Sequence, residues 1–333
     1  MNVQEFMRQA EPNGTICNAI AKTWDVLGRY RVPVVSVSGG ADSDIVLDII
    51  HKLDEERKAV YVWYNTGLEF EATKRHLDYL EQRYGIRIQR VPAAKPIAQT
   101  VKEFGYPFLA KFVANRIESL QFKGFDFVDR TFEQDMQLFP KCWSNLKWWH
   151  NIGSLDLLNI SRFKLLREFL IKYPPAFRIS GKCCSYTKKK PSRDFLKKYN
   201  ADLSILGLRK CEGGIRAATK NCLTQNRDDD YAVFRPIFWF SDKDKAAYEQ
   251  KFGIIHSDCY TVYGLKRTGC VGCPFNYRLL SELEQTRKFE PGLERAAEAV
   301  FGPVYEYLRK YREYRALHSG DTLPLFDSEK DVT

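Results

Sequence analysis

The apolar run Val34-Val35-Ser36-Val37 passes directly into Ser38-Gly39-Gly40-Ala41-Asp42-Ser43, and that junction constrains the fold more than any other feature of the chain. A short β-branched run ending in Gly-Gly predicts a strand buried in a parallel sheet. Beyond the glycines, Ile45, Val46, Ile49, Ile50 and Leu53 recur at helical spacing. A strand turning sharply into a helix places the turn at the carboxyl end of a sheet, where ligands of open α/β folds bind. Gly39 and Gly40 can take positive φ and let N–H groups close on an anion without a Cβ in the way. The helix N-terminus adds unpaired N–H donors and a favourable dipole. Ser38 and Ser43 read as hydroxyl donors to that anion. Asp42 alone would repel phosphate, so it reads as the partner of a bridging Mg²⁺. The bland alternative is an ordinary turn with Asp42 or Ser43 as helix N-cap.

The flanking pattern enlarges this junction into a doubly wound parallel sheet. A helix is expected over residues 15–27, further strands over 59–63, 86–91 and 203–208, and a helix over 69–84. Residues 92–175 are helical in pattern and rich in aromatics, and read as an insertion. Its Trp143, Trp148 and Trp149 are expected in a core rather than against a ligand. The division expected is a nucleotide-binding domain over 1–240, with that insertion, and a helical C-terminal region over 241–333. The formal net charge of +10 favours anionic partners. No apolar run approaches the roughly 20 residues of a spanning helix, and the N-terminus has no signal-peptide pattern. The expected location is the cytoplasm, away from membranes.

The hexapeptide Ser38 to Ser43 resembles the PP-loop, Ser-Gly-Gly-x-Asp-Ser, of ATP pyrophosphatases, which bind ATP and often cleave it between the α and β phosphates. It is not a Walker A loop, because no Gly-Lys-Ser/Thr follows. Three further segments are similar to motifs of the phosphoadenosine phosphosulfate reductase family. These are Asn65-Thr66-Gly67-Leu68-Glu69-Phe70, Gly207-Leu208-Arg209-Lys210-Cys211-Glu212 and Arg235-Pro236-Ile237-Phe238-Trp239-Phe240, with Phe240 in a tryptophan's place. The resemblance implies an adenine nucleotide held by Ser38, Gly39, Gly40, Asp42, Ser43, Thr66, Gly67 and Arg209. It further implies Asp42, Ser43 and Arg209 as the catalytic set, with Arg209 on the nucleotide's charged groups.

Nine cysteines in a chain expected in a reducing compartment argue against disulfides. Cys17, on an expected amphipathic N-terminal helix, fits a buried small hydrophobe. Cys183-Cys184 and Cys270-Val271-Gly272-Cys273 form two pairs separated by 85 residues. Four thiolates suit a structural zinc or an iron–sulfur cluster, and composition does not choose between them. The resemblance does: adenylylsulfate reductases carry such pairs at about this spacing and bind a [4Fe–4S] cluster. Zinc is the runner-up, and unliganded core cysteines come third. Lys182, Lys188, Lys189, Lys190, Lys266 and Arg267 flank the pairs, and cations near thiolates lower their pKa and offset a cluster's charge. For part of the Lys188 to Lys190 trio a solvated surface run is an equal reading. Cys142, Cys211, Cys222 and Cys259 have no assigned role.

Sulfonucleotide reductases usually have a degenerate PP-loop and a tail cysteine that attacks sulfur. Here Asp42 and Ser43 are intact and no cysteine follows Cys273. The first expectation is therefore an ATP pyrophosphatase-type enzyme using Mg-ATP and a [4Fe–4S] cluster for substrate adenylation and sulfur transfer. An adenylylsulfate or phosphoadenylylsulfate reductase comes second. A non-catalytic nucleotide- or nucleic-acid-binding subunit of a modification complex comes third. A sulfur-donor protein and a nucleic-acid substrate are the partners these readings admit.

Overall fold

The computed structural model describes residues 2–153, 159–213, 219–225 and 230–319. Two helices precede the sheet, α1 (Val3–Ala10) and α2 (Gly14–Arg29), and the side chains of Asn2 and Asn13 cap them. Then β1 (Pro33–Ser36), α3 (Ala41–Leu53), β2 (Val60–Asn65), α4 (Glu71–Tyr84) and β3 (Ile88–Pro92) alternate as expected. The chain leaves this unit at Lys95 and passes through α5 (Ile97–Phe104), α6 (Lys111–Phe122), α7 (Phe132–Leu138), α8 (Trp143–Trp149), α9 (Leu166–Lys172) and the single turn α10 (Lys182–Cys184). It returns at Lys188 for α11 (Lys190–Lys198), β4 (Leu203–Leu206), β5 (Leu223–Gln225), β6 (Ala232–Phe234), α12 (Asp242–Phe252) and α13 (Asp258–Thr261). From Val271 it belongs to the second unit again, with α14 (Leu279–Phe289) and α15 (Pro291–Ser319).

The first unit is built on a sheet of order β3-β2-β1-β4-β6-β5. All pairings are parallel except β5 with β6 at one edge. β1 sits between β2 and β4 and is buried on both faces. Val35 joins Ile45, Ile49 and Ile50 of α3 in the larger core, while Val34 joins Val62, Phe195 and Leu196 on the opposite face. Each such fully buried aliphatic side chain contributes about 1.5–3 kcal/mol. A strand that is apolar on successive residues is the signature of this placement. The expected strand at 203–208 is shorter, and β5 and β6 were not anticipated. Three residues are too few for an alternating pattern, and β6 runs straight into the Arg235-Pro236 segment.

The expected boundary at residue 240 is corrected to residue 270, because α12 packs into the first unit. Asn13 Nδ2 donates to Asp244 Oδ1 at 2.8 Å, and the buried Tyr248 hydroxyl donates to Asp48 Oδ2 of α3 at 2.6 Å. The second unit combines the insertion with the C-terminal helices. Phe169 of α9 packs among Tyr307, Tyr311 and Tyr314 of α15, with ring centroids 5.0–5.7 Å apart. Phe125 and Phe127 meet Trp149 edge-on. Trp148 and Trp149 are therefore core residues, as expected, whereas Trp143 is exposed beneath the Lys147 ammonium at 3.7 Å.

Candidate nucleotide site and cysteine pairs

The loop after β1 folds around one hydroxyl. Ser43 Oγ donates to Gly40 O at 2.7 Å and accepts N–H bonds from Ser38 and Gly40, each at 3.2 Å; Ser38 Oγ lies 3.0 Å away. Gly39 has φ +68°, and a Cβ there would lie 2.8 Å from Thr73 Cγ2. Gly40 forms the N-cap of α3, in a space bounded by Ser38 Oγ, Thr268 Oγ1 and Tyr260 OH. Tyr260 OH accepts from the Ala41 N–H at 3.3 Å. The reading of Ser43 as an outward donor is corrected: it is buried and shapes the loop from within.

Asp42, the second residue of α3, lies between two cations. Arg209 Nε reaches Asp42 Oδ2 at 3.0 Å, and Lys245 Nζ reaches Oδ1 at 2.9 Å. Arg209 also pairs with Asp242 at 2.7 Å and touches Cys211 Sγ at 3.1 Å. Burial works against its charge, yet Asp242 and Asp42 outweigh burial and hold the guanidinium above its ordinary range. Gly207 makes the approach of this segment to the loop sterically feasible, since a Cβ there would sit 3.0 Å from the Asp42 and Ser43 backbone. Both carboxylate oxygens of Asp42 thus face protein cations. Arg209 is brought to the loop as expected, where it faces Asp42.

A second carboxylate of α3, Asp44, is buried two residues further on. Asp44 Oδ2 lies 3.0 Å from His76 Nε2 and 2.9 Å from His256 Nδ1. His256 Nε2 lies 2.9 Å from Glu249 Oε1, which is 3.8 Å from Lys245 Nζ. Burial lowers the His256 pKa, but Asp44 and Glu249 more than offset it and raise it to about 9. At neutral pH His256 is an imidazolium. Sequence reasoning missed Asp44, His76, Lys245, Glu249 and His256. The Lys245, Glu249 spacing on one helical face was their one visible signal.

Thr66 and Gly67 stand at the carboxyl end of β2, next to β1 in the sheet. Thr66 is buried and its hydroxyl donates to Glu69 Oε1 at 2.6 Å, while Asn65 Oδ1 accepts the Gly67 N–H at 2.9 Å in a turn where Gly67 has φ +91°. Burial raises the Glu69 pKa, opposed first by the charge of Lys188. Lys188 thus faces this end of the sheet, whereas Lys190 pairs with Asp194 along α11 as a solvated surface residue. Phe240 is buried where the family has tryptophan, and Trp239 is exposed under Lys210.

Of the four paired cysteines, Cys183, Cys184 and Cys273 belong to the second unit and Cys270 ends the first. Among the described residues no group of three or more His, Cys, Asp or Glu is gathered as a metal site. The turn at Cys273 is held by its own surroundings. Gly272 has φ +66°, and a Cβ there would lie 2.2 Å from Tyr305 OH and 2.8 Å from Ala297 Cβ. The buried Glu282 accepts the Gly272 N–H at 2.9 Å, and Tyr305 donates to Gly272 O. The Cys-x-x-Cys turn is thereby fixed from behind. Cys183 O accepts from Thr187 Oγ1 at 2.9 Å. Cys142 and Cys259 are buried, Cys17 is half-buried with its thiol near Met7 O, and burial holds the Cys211 thiol above its ordinary pKa despite Arg209.

A parallel sheet ordered 3-2-1-4 with Ser-Gly-Gly-x-Asp-Ser at the carboxyl end of β1 defines a doubly wound α/β fold. The sequence model of the phosphoadenosine phosphosulfate reductase domain matches residues 32–120 and 164–276. That is more than half of the chain, and the chain belongs to this family. An uncharacterised protein of Methanocaldococcus jannaschii is 36% identical over 92 residues, covering 27% of this chain and 18% of that protein's length. Among solved structures, the phosphoadenylyl-sulfate reductase of Candida auris is similar at a TM-score of 0.43 and 10% identity, over 80% of this chain and 93% of that one. The U34-tRNA thiolase NcsA from Methanococcus maripaludis, solved with its [4Fe–4S] cluster, is similar at 0.38 and 13%, over 96% and 87%. The NH3-dependent NAD synthetase of Campylobacter jejuni gives 0.36 and 11%, over 98% and 100%.

Proposed function

We propose that the chain is an ATP pyrophosphatase-type enzyme of this family, which adenylates an acceptor and prepares it for sulfur transfer. The observation that carries this reading is the intact loop at β1, with Arg209 and Lys245 both at Asp42. Two cations beside a helix N-terminus match a polyphosphate better than a single sulfate. Mg²⁺ enters this scheme on the phosphates of the nucleotide, as part of the substrate, with Asp42 outside its coordination.

In the reaction proposed, an acceptor oxygen attacks the α-phosphorus and its P–O bond forms as the bond to the β-bridging oxygen breaks. Pyrophosphate leaves and the acceptor proton passes to solvent. N–H groups of the loop and the Arg209 guanidinium stabilise the charge that develops on the α-phosphate oxygens. A sulfur nucleophile then displaces AMP. Cys183, Cys184, Cys270 and Cys273 would hold a [4Fe–4S] cluster, which would supply the sulfur-handling or redox step; a zinc site is the alternative. Gly272, Glu282 and Tyr305 keep the Cys273 turn in place for it. An adenine nucleotide, a sulfur-donor protein and a nucleic-acid acceptor are the partners proposed.

The test incubates cluster-loaded protein with Mg-ATP and, separately, with adenylylsulfate and a thiol reductant. AMP and pyrophosphate from ATP are the expected products. Sulfite from adenylylsulfate would replace this reading with that of a sulfonucleotide reductase. Silence in both arms would leave a non-catalytic binding subunit.

A further inference from the structure

We propose that Lys245 is a phosphate-contact residue of the loop, and that Asp42 is a placeholder holding Lys245 and Arg209 until the nucleotide takes them over. This rests on the nucleotide reading above and extends it to a residue outside all four family-like segments. Lys245 stands on α12, with its side chain largely covered and its ammonium 2.9 Å from Asp42 Oδ1. Among the described residues, the one other carboxylate within ion-pair range of that ammonium is Glu249, at 3.8 Å. Glu249 is committed elsewhere, since His256 Nε2 lies 2.9 Å from the same oxygen and His256 is anchored on Asp44. The ammonium is therefore directed at Asp42 and held from behind by a chain of alternating charges that runs from Lys245 through Glu249 and His256 to Asp44.

Asp42 itself sits where an anion is favoured. It is in the first turn of α3, where the helix dipole and the N–H groups attract negative charge. Its carboxylate draws Arg209 from the end of β4 and Lys245 from α12 to one point beside the loop. A phosphate chain offers more charge and more acceptor oxygens than one carboxylate, so exchange of both cations onto it is favourable. Asp42 then needs only to turn its partly exposed side chain away. On this account the carboxylate competes with the nucleotide for cations, whereas a magnesium ligand would assist it.

Calorimetric titrations of the full chain with ATP and with adenosine, in Mg²⁺ and in EDTA, test both halves. Lys245→Gln is expected to weaken ATP binding about tenfold or more while leaving adenosine binding and the melting temperature unchanged. Asp42→Asn is expected to tighten ATP binding in EDTA several-fold. Equal ATP affinity of wild type and Lys245→Gln would overturn the role of Lys245 and leave the nucleotide reading standing. Weaker binding by Asp42→Asn in EDTA would overturn the placeholder. If the wild type binds no ATP under either condition, the nucleotide reading falls and this proposal with it.

Discussion

Replacing His256 by Gln removes the cation between Asp44 and Glu249, and the consequence is a change in how stability depends on pH. His256 faces Asp44 from α3 and Glu249 from α12, with His76 of α4 sharing Asp44 and the Tyr260 ring 5.9 Å away. These carboxylates lift its pKa from 6.5 to about 9 despite burial. A group with a raised folded-state pKa binds its proton more tightly when folded. Its contribution is fully present below pH 6.5 and is lost as pH rises through 9. At about 1.4 kcal/mol per pH unit the interval corresponds to at most roughly 3 kcal/mol, reduced by solvent screening of this partly exposed imidazole. Denaturant unfolding between pH 6 and 10 is the assay. Wild type should lose about that amount across the interval, while His256→Gln should start lower and show a much flatter profile. NMR titration of the imidazole gives an independent reading, with a midpoint near 9. A midpoint below 7, or an unchanged slope in the variant, would refute the pairing of His256 with Asp44 and Glu249.

Gly207→Ala places a methyl 3.0 Å from the Asp42 and Ser43 backbone, which a helix start cannot easily yield. It is expected to cost about 1–3 kcal/mol in unfolding free energy, and to weaken ATP binding by displacing the loop, as titration would show. Gly272→Ala meets both a positive φ and the Tyr305 hydroxyl; a melting scan should show a loss of about 2–4 kcal/mol. Anaerobically purified protein carrying that change should also hold less iron and sulfide than wild type. Stoichiometric zinc without iron in the wild type would replace the cluster by a zinc site.

The sheet was legible because its buried strands and their helices keep distinct periods. Val34 to Val37 against Ile45 to Leu53 settled the β1–α3 junction before any contact was known. The loop's internal wiring was less visible. A serine that accepts bonds from its own loop and one that donates to a ligand look identical in sequence, so Ser43 was misjudged. The ion pairs of Asp42 were not legible because its partners, Arg209 and Lys245, lie about 170 and 200 residues away. Lys245 sits in Asp242-Lys243-Asp244-Lys245, a stretch with the composition of an ordinary solvated helix start. The boundary error at 240 has a related cause. Asp244 and Tyr248 reveal their attachment to the first unit through Asn13 and Asp48, which pattern reading along the chain does not reach.

The position of β1 between β2 and β4 also sets a timetable for synthesis. Its register on one side closes at once, through Val34 with Val60. On the other side it must wait: the Arg31 N–H that introduces the strand donates to Asp202, 171 residues later. At ordinary elongation rates that delay is roughly ten to thirty seconds. Throughout it the nascent chain carries one open, strongly apolar strand edge while the first half of the second unit emerges. Such an edge is a template for wrong pairing. The protein should therefore depend on chaperone protection during translation more than its final stability would indicate, and a slowed ribosome should lower its soluble yield.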